Sequence, residues 1–116
     1  MDRTALLGIR DCDLRETLVE IGRVMGYTVA WAQTQTELEE LAKKKPFDLY
    51  VMDLNFRAND KYDLTPARTI YTLVRERVEA GNARFMGISG YDNLVELAKR
   101  EGIPAKIKEN PLNTLF

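Results

Sequence analysis

Histidine is missing from this 116-residue sequence, and cysteine occurs once, at Cys12. The chain therefore builds neither the usual Cys/His zinc site nor a Ser-His or Cys-His catalytic pair, and it closes no internal disulfide. No excess of one charge develops. The 17 basic and 18 acidic residues are interspersed for a net charge of -1, which suggests no direct nucleic-acid surface and no membrane-binding face. Long apolar runs are absent, and the opening Met1-Asp2-Arg3-Thr4 lacks the basic and apolar regions of a signal peptide, so a cytoplasmic location is expected. Glycines are not clustered and no Ser/Thr run could wrap a phosphate, which disfavours a flavin or nucleotide loop. Chemistry is left to carboxylates, hydroxyls, lysines or a hard cation.

What is there fits one domain, residues 1–116, with one core: 45% of the residues are hydrophobic and 30% charged. Its organising stretch is Phe47 to Phe56, where Leu49-Tyr50-Val51-Met52 follows Pro46-Phe47 and ends on Asp53 and then Asn55. A short continuous apolar run of this kind reads as a strand covered on both faces, the central strand of a parallel sheet. Asp53 then stands at the carboxyl end of that strand, the edge where ligands bind in open α/β sheets.

Thr4 to Ile9 reads as a first strand, followed by the loop Arg10-Asp11-Cys12-Asp13. Asp13 with Glu16 suggests a capping box for a helix carrying Leu14, Leu18, Ile21 and Met25 and ending near Gly26. Tyr27 to Ala32 reads as a second strand; Thr36 with Glu39 caps a helix bearing Leu38, Leu41 and Ala42, which Lys43 to Lys45 close before Pro46. Leu54 to Leu64 reads as an extended loop. Thr65-Pro66 opens a helix with Ile70, Leu73, Val74 and Val78 inward and Gly81-Asn82 at its end. Arg84 to Ser89 is a fourth strand, Asp92 caps a helix closed by Gly102, and Ala105 to Lys108 is a short fifth strand. Strands alternate with helices and no hairpin signal occurs, which predicts an α/β three-layer sandwich: a five-stranded parallel sheet with helices on both faces. The eight residues after Lys108, with Pro111 among them, are too few for a normal closing helix, so the final helix is expected to be missing or shortened.

Strand ends bring together Asp11 (with Asp13 beside it), Asp53, Ser89 and the lysines Lys106 and Lys108. A carboxylate nucleophile attacking a phosphoryl group needs a cation to screen its approach, a hydroxyl to hold a phosphoryl oxygen and an ammonium to balance charge. Each residue also has a plainer role. Asp11 and Asp13 are helix-start residues by composition, Ser89 is a strand-end hydroxyl, and Lys106 and Lys108 alternate with Ile107 as on a solvated edge strand. Trp31 and Tyr50 read as core or subunit contacts.

The order and spacing resemble the receiver domain of bacterial two-component response regulators over essentially the whole chain except its C-terminus. Lys45-Pro46-Phe47-Asp48-Leu49-Tyr50-Val51-Met52-Asp53-Leu54 is similar to the family's phosphoacceptor strand, Met86-Gly87-Ile88-Ser89-Gly90 to its hydroxyl-bearing strand, and Gly26-Tyr27-Thr28-Val29 to its turn into strand two. The resemblance implies a flavodoxin-like, CheY-like sheet of order 2-1-3-4-5. It further implies Asp53 as phosphoacceptor, with Ser89 and Lys108 assisting, and a weak Mg2+ site on Asp11, Asp53 and the main chain of Asn55. A histidine kinase or other signalling protein is the implied partner.

The sequence also departs from the family. An acidic pair is expected after strand one, where an ungapped match places Ile9-Arg10 and a one-residue deletion places Arg10-Asp11. Pro111 follows Asn110 rather than a lysine, Lys108 stands two positions before Asn110, Ile107 falls near a position often aromatic, the proline expected shortly after Asp53 is absent from Leu54-Asn55-Phe56-Arg57, and the loop before helix three is several residues too long for the family. The sequence thus suggests an atypical signalling module rather than an enzyme. The alternatives are a phosphorylation-independent pseudo-receiver that binds or dimerises, and a small metal-dependent phosphoryl-transfer enzyme. With the last helix absent, a homodimer through the helix-one side and the C-terminal segment is expected.

Overall fold

The computed structural model describes residues 3–108 and 112–116, with the side chains of Leu112 and Asn113 left aside; Asn110 and Pro111 lie outside the described residues. In chain order the elements are β1 (Arg3–Gly8), α1 (Cys12–Val24), β2 (Tyr27–Trp31), α2 (Gln35–Lys44), β3 (Leu49–Asp53), α3 (Thr65–Glu79), β4 (Arg84–Ser89), α4 (Asp92–Arg100) and β5 (Ala105–Ile107), then a 3-10 turn, Leu112–Leu115. The five strands are all parallel, in the order β2-β1-β3-β4-β5. Leu7 pairs with both Trp31 and Val51, and Val51 with Met86, so β3 lies at the centre with all five of its residues buried. Continuous burial is why this strand shows no polar alternation.

Side chains alternate across the sheet into two apolar layers. One holds Leu6, Tyr50, Met52 and Phe85 with residues of α2, α3 and α4 such as Leu38, Ile70 and Leu94. The other holds Ala5, Leu7, Leu49, Val51 and Ile88 with Leu18 of α1 and with Leu115 and Phe116. The 3-10 turn and Phe116 stand in place of a closing helix. The Phe116 ring lies 5.4 Å from that of Tyr27, and a Cβ on Gly22 would come within 2.8 Å of it. Tyr27 Oη and the Arg84 guanidinium both donate to the Phe116 main-chain oxygen. With this cover Leu49, Val51 and Ile88 are each no more than 1% exposed, so no bare helix-sized patch lies over them.

Several helix starts differ from expectation by one or two residues. Asp11, not Asp13, caps α1: its Oδ1 accepts the N–H groups of Asp13 (2.8 Å) and Leu14 (3.1 Å), because Asp11 has the extended backbone a cap requires while Asp13 is already in the first turn. Thr34, not Thr36, caps α2 through the Glu37 N–H. At α3, Thr65 is already helical and the preceding Leu64 holds the cap position, with Asp63 accepting the Thr65 N–H at 2.9 Å. Asp92 is likewise inside α4, after Tyr91. β1 and β2 end one residue early, at Gly8 and Trp31, and β5 ends at Ile107. Leu73 is 41% exposed; the inward face of α3 is Ala67, Ile70, Tyr71 and Val74, a tighter i, i+3, i+4, i+7 stripe.

The 54–64 loop is irregular but anchored, with Leu54, Phe56 and Leu64 no more than 1% exposed. Gly87 makes that anchoring feasible: a Cβ there would lie 2.2 Å from Leu54 Cδ2 and would push the Leu54 side chain from its place across β4. No helix among the described residues is long and apolar enough to cross a membrane.

Candidate functional site

The carboxyl ends of β1, β3, β4 and β5 open into a cleft of about 390 Å³ lined by Arg10, Asp11, Asp53, Asn55, Ser89, Gly90, Tyr91 and Lys108. Asp53 forms its floor, 3% exposed at the last position of β3. Parallel pairing sets what surrounds it. β1 ends one strand away, and the chain leaving it brings the Arg10 main-chain N–H to 2.8 Å from Asp53 Oδ2. On the other side the Leu54 N–H donates to the Ile88 carbonyl, which locks the exit of β3 to the end of β4.

Ser89, 2% exposed, accepts the Tyr91 N–H on its Oγ at 3.0 Å, a turn that fixes its side chain at the strand end. The Ser89 carbonyl accepts the Lys108 N–H at 2.9 Å, extending the β4–β5 ladder by one residue. That bond aims Lys108 inward, and its Nζ stands 2.8 Å from Asp53 Oδ1. The Lys108 side chain is 34% exposed against 4% for Asp53, so the ammonium reaches from the rim to neutralise a carboxylate at the floor. Lys106 faces elsewhere and gives its ammonium to Thr114 Oγ1 at 3.0 Å. Of the two lysines, the structure brings only Lys108 to the cleft.

Asp11 lines the cleft, but its Oδ1 serves the N-terminus of α1. Asn55 lines it as well, and its side-chain amide donates to the Lys61 carbonyl at 3.1 Å. Tyr91 and Gly90 are site residues that sequence reasoning did not single out as such; the signal for both was their position just after Ser89. Because Gly90 has no side chain, it is backbone that it presents to the cleft. Beyond the rim, Tyr91 packs against Tyr62 with ring centroids 5.5 Å apart, and the Lys61 ammonium lies 5.3 and 5.4 Å from the two rings. Tyr50 is core, whereas Trp31 is 40% exposed beneath the Arg15 guanidinium at 3.9 Å.

The donor set fits a divalent cation poorly. Hard cations take several oxygen ligands, mostly carboxylates. Here Asp53 Oδ1 already holds an ammonium, Asp11 is half committed to a helix cap, and Arg10 stands at the position before it. No group of three or more Asp, Glu, His or Cys residues placed to hold a metal occurs among the described residues.

No family model matches the chain, and no curated protein matches it in sequence. Solved structures do. A response regulator from Burkholderia pseudomallei, solved with a phosphorylated aspartic acid, calcium and citrate, superposes with a TM-score of 0.67 at 21% identity over 97% of this chain; the chain spans 63% of that protein. The response regulator TrrA from Thermotoga maritima, in complex with Mg2+ and beryllofluoride, gives a TM-score of 0.69 at 15% identity, covering 99% of this chain and 93% of that one. The receiver domain of the hybrid histidine kinase CckA gives 0.64 at 24% identity, covering 97% and 91%. With the all-parallel order β2-β1-β3-β4-β5, these likenesses establish that the chain has the CheY-like receiver fold of response regulators.

Proposed function

We propose that the chain is a signalling receiver module whose Asp53 accepts a phosphoryl group, by way of a site atypical in its charges. The observation that carries this reading is the buried Asp53 carboxylate held between the Arg10 N–H and the Lys108 ammonium, with Ser89 at the neighbouring strand end. In the reaction, a carboxylate oxygen of Asp53 bonds to phosphorus while the bond from phosphorus to the donor's nitrogen or oxygen breaks, and the electron pair leaves with the donor. Lys108 then turns from its carboxylate partner to a phosphoryl oxygen, Ser89 Oγ–H supplies a hydrogen bond, and the Gly90 backbone borders the transferred group. The donor is a phosphohistidine on a kinase or another signalling protein.

A second reading, a pseudo-receiver that works by binding alone, is favoured by one observation: the cleft's carboxylates already have partners within the chain, Asp53 in its ion pair with Lys108 and Asp11 in the α1 cap. Either reading is compatible with self-association on the α1 side. There a groove of about 400 Å³ lies between Leu49, Met86, Pro104 and Leu115, and Val24 is 88% exposed at the end of α1. The deciding experiment is a beryllofluoride titration, with and without magnesium, followed by amide NMR shifts. Shifts centred on Asp53, Ser89 and Gly90 support phosphoryl acceptance; silence at millimolar concentrations leaves the pseudo-receiver. Sedimentation at micromolar concentration tests the dimer, and a strict monomer removes it.

A further inference from the structure

We infer that the Asp53 cleft holds a small tetrahedral oxyanion, phosphate or a transferring phosphoryl group, without a divalent cation, the guanidinium of Arg10 supplying the positive charge; this rests on the reading of the cleft as a phosphoryl site. The ionic groups lining the cleft are Arg10, Asp11, Asp53 and Lys108. The two carboxylates a divalent cation would need are already engaged, Asp53 by Lys108 and Asp11 by the α1 amides. Arg10 differs from the other three. Among the described residues its guanidinium makes no ion pair or hydrogen bond, and its side chain is exposed.

The root of that side chain is fixed. The Arg10 main-chain nitrogen is 2.8 Å from Asp53 Oδ2, and Arg10 lines the cleft above that carboxylate. A planar fork of N–H donors binds phosphate oxygens in pairs, which a spherical ion does not do. The remaining contacts suit the same guest: the Ser89 hydroxyl, whose lone pair is used by Tyr91 and whose proton is left to donate, and the backbone at Gly90. The Arg10 guanidinium and the Ser89 hydroxyl proton are donors, which an anion can use and a metal ion cannot.

The test uses the whole chain in EDTA, with inorganic phosphate as probe and amide NMR shifts as readout. Saturable shifts at Asp11, Ser89 and Gly90 are expected, with the dissociation constant unchanged on adding magnesium, weakened about tenfold in Arg10→Gln and largely restored in Arg10→Lys. Arg10 is exposed, so these variants keep the fold, which their unperturbed spectra away from the cleft would verify. Shifts that require magnesium, no saturation in EDTA, or equal binding by Arg10→Gln each overturn the inference. A parallel incubation with acetyl phosphate, read by intact mass with Asp53→Asn as control, separates the two levels. Phosphate binding in EDTA without covalent phosphorylation keeps the anion site and removes the phosphoacceptor reading, whereas phosphorylation that depends on magnesium keeps that reading and removes the inference.

Discussion

Lys108 sets its ammonium 2.8 Å from Asp53 Oδ1 because its own backbone N–H is tied to the Ser89 carbonyl, so the strand that bears the hydroxyl also aims the cation. Lys108→Met leaves a floor carboxylate without its counter-charge. Removing one partner of a fully buried pair costs roughly 3–5 kcal/mol; with the Lys108 side chain 34% exposed, water screens part of this and about 1–3 kcal/mol is expected. Asp53→Asn in the same chain should cancel most of that loss. Urea unfolding of the two single variants and the double variant measures the coupling, and strict additivity would show the pair to be incidental.

Much of this arrangement was legible in the residues. The apolar run ending at Asp53, the polar punctuation between strands and the glycines after helices carried the alternating order, since each reflects local backbone chemistry. Helix starts were harder, because Asp11 and Asp13 both have capping side chains and only the strand's end at Gly8 decides which adopts the extended cap conformation. Strand alternation alone did not separate Lys106 from Lys108, and only the receiver resemblance pointed to Lys108. Alternation put them on the same side of the strand, but Lys108 lies past the end of β5, where its side chain is freed to turn into the cleft. Tyr91, and Gly90 beyond its place in the strand motif, were not assigned to the site because their part in it comes from a turn around Ser89, not from a residue pattern.

Arg68 at the start of α3 grips Glu101, just past α4, through Nε at 2.7 Å and Nη2 at 2.6 Å. The side-chain hydrogen bond to Arg68 holds the Glu101 carboxyl below its ordinary value, and the same bond raises Arg68. The Glu101 value is depressed on folding, so the pair's contribution is complete above the ordinary glutamate range and is lost as pH falls through the lowered value. Since both groups are largely hydrated, Glu101→Gln should cost less than about 1 kcal/mol at pH 7, and nothing below that window. Thermal unfolding of the two proteins between pH 7 and pH 3 checks the convergence.

Phe116 fills the space that Gly22 leaves on α1, and a Cβ at position 22 would also meet Val29 Cγ2 at 2.8 Å. Ala in place of Gly gains up to about 1 kcal/mol of helix propensity, whereas overpacking costs roughly 1–3 kcal/mol, so Gly22→Ala should destabilise on balance. Phe116→Ala should cost on the order of 3 kcal/mol, the low end of the range for buried aromatics. Combined, the two should be less harmful than their sum, because the alanine methyl then occupies space the ring has vacated. Denaturant midpoints of the three variants decide it, and a Gly22→Ala protein as stable as the parent would show the ring to be easily displaced.

Arg10 also makes the metal preference of the cleft adjustable by one side chain. Arg10→Asp removes a cation that opposes a divalent ion and adds a carboxylate beside Asp11, giving three acidic residues around a cleft that now has two. The reversal changes the local charge by two units, and at the effective dielectric of a partly buried site each unit is worth more than 1 kcal/mol toward a nearby divalent ion. Magnesium affinity should therefore rise by at least about tenfold, which corresponds to about 1.4 kcal/mol. Arg10→Gln, which removes the cation without supplying a ligand, should give a smaller gain, so the two variants separate charge relief from coordination. Calorimetric titration with magnesium measures both; an Arg10→Asp protein that binds no more tightly than the parent would mean that the loop after β1 does not face the Asp53 carboxylate in solution.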